Sequence, residues 1–161
     1  MTNQQSSISR WLRKIFTVES SVVQLDVSLI ADTIADIERK TRAELRVHAS
    51  TTREYVDPMN AAITKFSELG MHNTAEKNGV LLWLNTRRKE FAIIGDAGID
   101  QKVESKFWEK VKSEMLERFK LGNATAAVLH GLNRAGERLA IEFPANGFSN
   151  PNELDNTVST D

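Results

Sequence analysis

Cysteine is absent from all 161 residues, which excludes disulfides, thiolate catalysis and cysteine-ligated zinc or iron–sulfur centres together. That absence fits a reducing compartment. No charge of one sign prevails either: 21 basic residues stand against 22 acidic ones, so the chain builds no basic field for nucleic acid. No apolar run approaches the ~20 residues that span a bilayer, and no transmembrane segment is expected. Behind Met1, the run Thr2-Asn3-Gln4-Gln5-Ser6-Ser7 is polar, without the apolar stretch and cleavage site of a secretory leader. A cytoplasmic location is the expectation. Motifs of chemistry are scarce as well. No Gly-rich phosphate loop, nucleophile elbow or Ser-His-Asp set can be assigned, and His48, His72 and His130 lie at no metal-ligand spacing. No organic cofactor is expected.

What is present is an ordinary globular composition, 40% apolar and 27% charged, at the length of one domain. Residues 1–24 read as an N-terminal amphipathic helix and linker. Ile8, Trp11, Leu12, Ile15 and Phe16 make one apolar stripe, with Arg10, Arg13 and Lys14 opposite. Such a helix can associate peripherally with a membrane, or dock on its own domain or on a partner subunit. Its shortness favours docking, since so short a basic helix holds a membrane only marginally.

Residues 25–144 read as one α/β domain. A helix over 27–40 is capped by Asp26 and buries Val27, Ile30, Ile34 and Ile37. Residues 43–48 alternate as a half-buried strand. Asp57, Pro58 and Gly70 punctuate a second helix whose core face is Met59, Ile63, Phe66 and Leu69. Gly79–Leu84 is apolar on both faces, a central strand. Phe91–Ile94 follows through a short loop and must be antiparallel to it. Helices near 102–120 and 124–142 close the domain, and Pro144 ends the second. Residues 145–161, rich in Asn, Ser and Thr, read as a mobile polar tail.

The helix at 58–70 makes the first two strands a parallel crossover pair, so the loops gather on two rims. The first rim collects Glu38, Glu44, Asp96 and Asp100, with Glu76, Thr41, Thr74 and Asn78 beside them and Gly95 and Gly98 permitting a tight turn. Hard oxygen ligands of this kind suit Ca2+ or Mg2+. The same residues also read as turn caps and solvated glutamates. The other rim lies beyond the carboxyl ends of the parallel strands, where open α/β sheets bind ligands. There Ser50, Thr51, Thr52, Arg53, Arg87 and Arg88 form either a phosphate cradle or an ordinary polar loop.

In order, Ile34–Glu38, Thr41–Val47, Phe66–Met71, Thr74 with Asn78–Leu82, Phe91–Ile99, Phe107-Trp108 and Phe143-Pro144 resemble the TPM domain family. That family is named for a thylakoid acid phosphatase-like protein and includes repair factors of photosynthetic complexes; this chain is similar to its short soluble bacterial members. The resemblance spans 25–144 and implies a three-layer α/β/α sandwich around a mixed sheet of about four strands. The periodicity marks only three strands, so the fourth is either a short one near Val22–Leu25 or one that the pattern does not reveal. The matching positions Glu38, Thr41, Glu44, Asn78, Gly95, Asp96 and Gly98 fall on the first rim, which raises that rim over the other. Relatives are variously calcium-binding, acid phosphatases, or assembly factors for membrane complexes, so no single activity comes with the fold. The resulting expectation is a divalent-metal-binding accessory or interaction module, with a protein partner, one at a membrane included. The alternative is a metal-dependent, acid phosphatase-like phosphomonoester hydrolase.

Overall fold

The computed structural model describes residues 22–147 and 153–161. The amphipathic stripe at 8–16 lies outside the described residues. A helix over Val27–Glu38 (α1) begins where the Asp26 carboxylate accepts the Leu29 N–H at 3.0 Å. Ile30, Ile34 and Ile37 form its buried stripe, whereas Val27, expected inside, is exposed. The chain then enters β1, Glu44–Ser50.

A second helix, Pro58–Glu68 (α2), has Asp57 as its cap and proline in its first turn. Gly70 ends it in the left-handed region, at φ 64°, where a Cβ would be strained. A short 3-10 turn over Met71–Asn73 leads into β2, Gly79–Asn85. The crossover makes β1 and β2 parallel, in register from Glu44 opposite Gly79 to Ser50 opposite Asn85. Through a tight loop β2 pairs antiparallel with β3, Glu90–Gly95. A four-residue helix, Ala97–Asp100 (α3), stands where the sequence suggests only a turn; the Asp96 side chain caps it. Two long helices follow, Ser105–Lys120 (α4) and Ala124–Glu142 (α5).

The sheet is mixed and four-stranded, in the order β3-β2-β1-β4, with helices on both faces. Leu45 and Val47 of β1 and Val80, Leu82 and Leu84 of β2 pack toward α1, α4 and α5. Leu81, Trp83 and Ala92 face the other way, onto Ala62 and Phe66 of α2. All of β2 is buried, as its unbroken apolar run requires. Each such Leu or Val contributes about 1.5–3 kcal/mol through burial.

Three expectations are corrected. The core face of α2 is Ala62 and Phe66, while Met59 and Ile63 are exposed, because the helix is rotated to set its small alanine against the sheet. β1 is buried on both sides rather than one. The fourth strand is Ser159–Thr160 (β4), parallel to β1, and not the segment 22–25, whose Val23 N–H instead bonds the Thr86 carbonyl at 2.9 Å. The last two corrections share a cause. Residues 153–161, read from composition as a polar tail, lie along β1 and cover its polar face.

Candidate functional site

The first rim is built by backbone junctions. Thr41 sits fully buried between α1 and β1, its hydroxyl 2.7 Å from the Phe143 carbonyl and 3.0 Å from that of Leu139. Asn78, one residue before β2, donates from Nδ2 to the Arg42 carbonyl at 2.7 Å, and its own N–H donates to the Thr74 hydroxyl at 3.2 Å. Glu38 ends α1 and accepts the Leu45 N–H at 2.8 Å. Glu44 opens β1, and its two oxygens accept the N–H groups of Glu153 and Leu154 at 3.3 and 3.2 Å. Asp96 caps α3 through Oδ1, which takes the Ala97 N–H at 2.8 Å. Gly98 donates to the Lys77 carbonyl at 2.8 Å, and a Cβ there would stand 2.6 Å from that oxygen, so only glycine fits. Gly95 is held similarly close: a Cβ would lie 2.8 Å from the Ile99 side chain.

Burial pushes the Glu38 carboxyl up to about 8, and Glu44 nearby adds to the rise, while the Leu45 N–H, Asn156 and Arg46 oppose it. Burial also raises Glu44, against the two N–H groups that favour its ionised form. Three oxygens on this rim, Glu38 Oε2, Asn78 Oδ1 and Asp96 Oδ2, are buried without a hydrogen-bond partner among the described residues. Yet the four expected carboxylates do not assemble as one cluster. Asp100 is exposed on α3, and no three Asp, Glu or His side chains among the described residues are grouped to hold a metal ion. Glu76 pairs with Arg42, at 2.8 Å to Nε and 3.0 Å to Nη2. His72 is exposed beside this rim.

The opposite rim, at the carboxyl ends of β1 and β2, holds a cavity of about 500 Å3 between Ser50, Thr52, Thr64, Lys65, Trp83 and Asp161. Thr86 donates to the Ser50 carbonyl from both its N–H, at 2.9 Å, and its hydroxyl, at 3.2 Å. Arg87 donates to the Thr51 carbonyl at 3.1 Å and Arg88 pairs with Glu90, so two of the three arginines expected to face a phosphate are engaged elsewhere. Arg53 is exposed.

Sequence reasoning passed over the polar face of β1. Glu44, Arg46, His48 and Ser50 alternate along it, and all four are buried. Asp161 closes the row: Oδ1 is 3.1 Å from His48 Nε2, while Oδ2 accepts the Ser50 hydroxyl and the Thr51 N–H, the latter at 3.1 Å. A carboxylate only accepts, which places the His48 proton on Nε2 and leaves Nδ1 to the Ser159 hydroxyl, 2.9 Å away. Burial raises Asp161, but the donors Ser50, His48 and Thr51 outweigh it and hold the group below its ordinary value. Burial lowers His48, against the pull of Asp161. The signal that could have found this row was the strict polar alternation at 44, 46, 48 and 50, opposite a strand too apolar to be at an exposed edge.

Among the described residues no helix is long and apolar enough to cross a membrane. A family model described as the TPM domain matches residues 24–138. The chain is similar to BA42 from the psychrophilic bacterium Bizionia argentinensis, at 36% identity and a TM-score of 0.77 over 84% of this chain and 92% of that one. It shares a fold with the N-terminal domain of a P. gingivalis protein, at 15% identity and a TM-score of 0.63 over 81% of this chain and 85% of that one. The N-terminal domain of the cg2496 protein from Corynebacterium glutamicum is a further fold match, at 12% identity and a TM-score of 0.55 over 70% of each chain. No match was found among curated proteins.

Proposed function

The chain belongs to the TPM domain family, and on that premise we propose that it is a divalent-cation-binding accessory module rather than a phosphomonoesterase. The observation that carries this reading is the trio of buried oxygens on the first rim that have no hydrogen-bond partner among the described residues. Leaving such an oxygen without a donor costs about 1–3 kcal/mol. A hard cation offsets that cost, and the carboxylate and amide oxygens of Asp96, Asn78 and Glu38 are its natural donors. Glu44 is withdrawn from the set because both its oxygens are engaged. Asp100 is withdrawn by its exposure. With the described carboxylates ungrouped, the remaining ligands would be backbone carbonyls and water, and modest affinity follows.

Against hydrolysis stands the electrostatics of the rim. Its arginine, Arg42, is spent on Glu76 and on the Pro144 carbonyl, and so offers no clamp for a phosphoryl group. The role of accessory module implies a protein partner, and a partner at a membrane remains within the proposal.

The test is thermal unfolding in millimolar Ca2+, Mg2+ or chelator. Wild type is expected to gain stability with the cation through linkage. Asp96→Asn retains an oxygen able to cap Ala97 and removes one negative charge, so it should fold normally and lose the gain. Identical curves for wild type in cation and chelator would leave the rim with its structural role alone.

A further inference from the structure

The outer edge of β1 is served in an unusual way. It is a seven-residue strand, yet only two residues of β4 pair with it. Side chains stand in elsewhere: Glu38 takes the Leu45 N–H and Asp161 takes the Thr51 N–H. The rest of the segment is held by side chains, through Glu153 and Leu154 on Glu44, Ser159 on His48 and Asp161 at the far end, so the edge of β1 accepts an extended segment with little ladder pairing and is a template for an added strand. At its end lies a built receptor for an anion. His48 and Ser50 are 1% and 3% exposed, and both hold the Asp161 carboxylate together with the Thr51 N–H. A cavity lies beside that carboxylate, with Thr52, Thr64 and Lys65 on its wall.

We propose that the outer edge of β1, with the His48–Ser50–Thr51 cradle, is a binding site for an extended peptide segment carrying an acidic side chain. Residues 153–161 occupy it in cis, and a segment of the same chemistry takes it in trans. Main-chain pairing along Val47–Ala49 supplies general affinity, and the cradle selects a carboxylate at the position now held by Asp161. The cradle lies at the opposite end of the strands from the cation rim; because Glu153 and Leu154 of the same segment donate to Glu44 on that rim, the readout is kept at His48, Ser50 and Thr51.

The experiment adds an unlabelled peptide of residues 153–161 to the 15N-labelled full chain, as wild type and as Asp161→Ala. The tethered segment competes at an effective concentration near millimolar, so wild type should respond only at high peptide. In Asp161→Ala the Ser50 and Thr51 amides and the His48 ring should shift saturably, at roughly tenfold lower peptide than in wild type. The same peptide with its last Asp changed to Ala should shift them much less. Shifts of equal size from inorganic phosphate or from the Ala peptide would overturn the claim of an acidic-peptide site. So would β1 resonances that do not respond to the peptide in either protein.

Discussion

Carboxyl groups sit at both ends of β1, and the two ends hold them in opposite states. At the start of the strand, Glu38 and Glu44 are buried beyond what their hydrogen bonds compensate, and both are driven toward the protonated form. At the far end Asp161, partly exposed, receives three donors and is held ionised. Burial raises all three groups, least at the partly exposed Asp161, and depth of burial and number of donors together decide the outcome. Glu38 has one backbone donor, and the Asn156 side chain and Arg46 add too little to offset its burial. The two ends therefore respond to pH with opposite sign, and each can be broken separately.

The largest effect belongs to Glu38. Its folded value near 8 lies above the 4.5 of the exposed group, so the folded chain keeps a proton that the unfolded chain has already released. Stability from this group is complete below 4.5 and is lost as pH rises through 8. The limiting slope is about 1.4 kcal/mol per pH unit. Chemical denaturation in chelator between pH 5 and pH 9 measures it in wild type and in Glu38→Gln. Glutamine keeps the oxygen that accepts the Leu45 N–H and carries no titrating proton, so its curve should be flatter in that window. A wild type as flat as the variant would mean that Glu38 is ionised in the fold.

The contrast between the ends also explains how much the sequence made legible. Helix caps at Asp26 and Asp57, the left-handed Gly70, the apolar run of β2 and the antiparallel return of β3 are local signals, and each element stands where its signal put it. The gathering of Glu38, Thr41, Glu44, Asn78 and Asp96 on one rim followed from strand polarity alone. Their dispositions did not, because whether an oxygen faces an N–H or nothing depends on distant backbone such as the N–H of Leu154. β4 was illegible for a related reason. Two polar residues carry no periodicity, and alternation along β1 ordinarily marks a solvated face. Only the docking of a segment more than 100 residues away makes that face interior.

A smaller effect is expected at Gly98, where the first rim is closed by backbone rather than by charge. A methyl group there meets the carbonyls of Glu76 and Lys77, neither of which can rotate away as a side chain could. Gly98→Ala should cost about 1–3 kcal/mol, the range for overpacking. The loss should be the same at pH 5 and pH 9, because no titrating group is involved. A loss that grew with pH would tie the seating of α3 to the ionisation of Glu38.

The smallest global effect belongs to the far end, where Asp161→Asn removes charge while preserving shape. Asp161 is held below its ordinary 3.8, so its contribution is present above that value and is lost as pH falls through the lower folded one. His48, lowered from 6.5 by burial, acts in the same direction: its contribution is present above 6.5 and declines as acid protonates a ring that the fold prefers neutral. Lys65 and Glu68 of α2 face the same ring, with opposing effects on it. Acid thus loosens β4, the reverse of the first rim, which loosens in base. Because the carboxylate is partly exposed, the variant should lose less than about 1 kcal/mol overall. Hydrogen exchange resolves what a melting curve would miss: the Thr51 and Thr160 amides should exchange faster in Asp161→Asn, while those of β2 keep wild-type protection. In wild type the same two amides should lose protection on acidification before any other part of the sheet. Unchanged exchange at Thr51 in the variant would mean that pairing along Ser159–Thr160, and not the carboxylate, holds the segment in place.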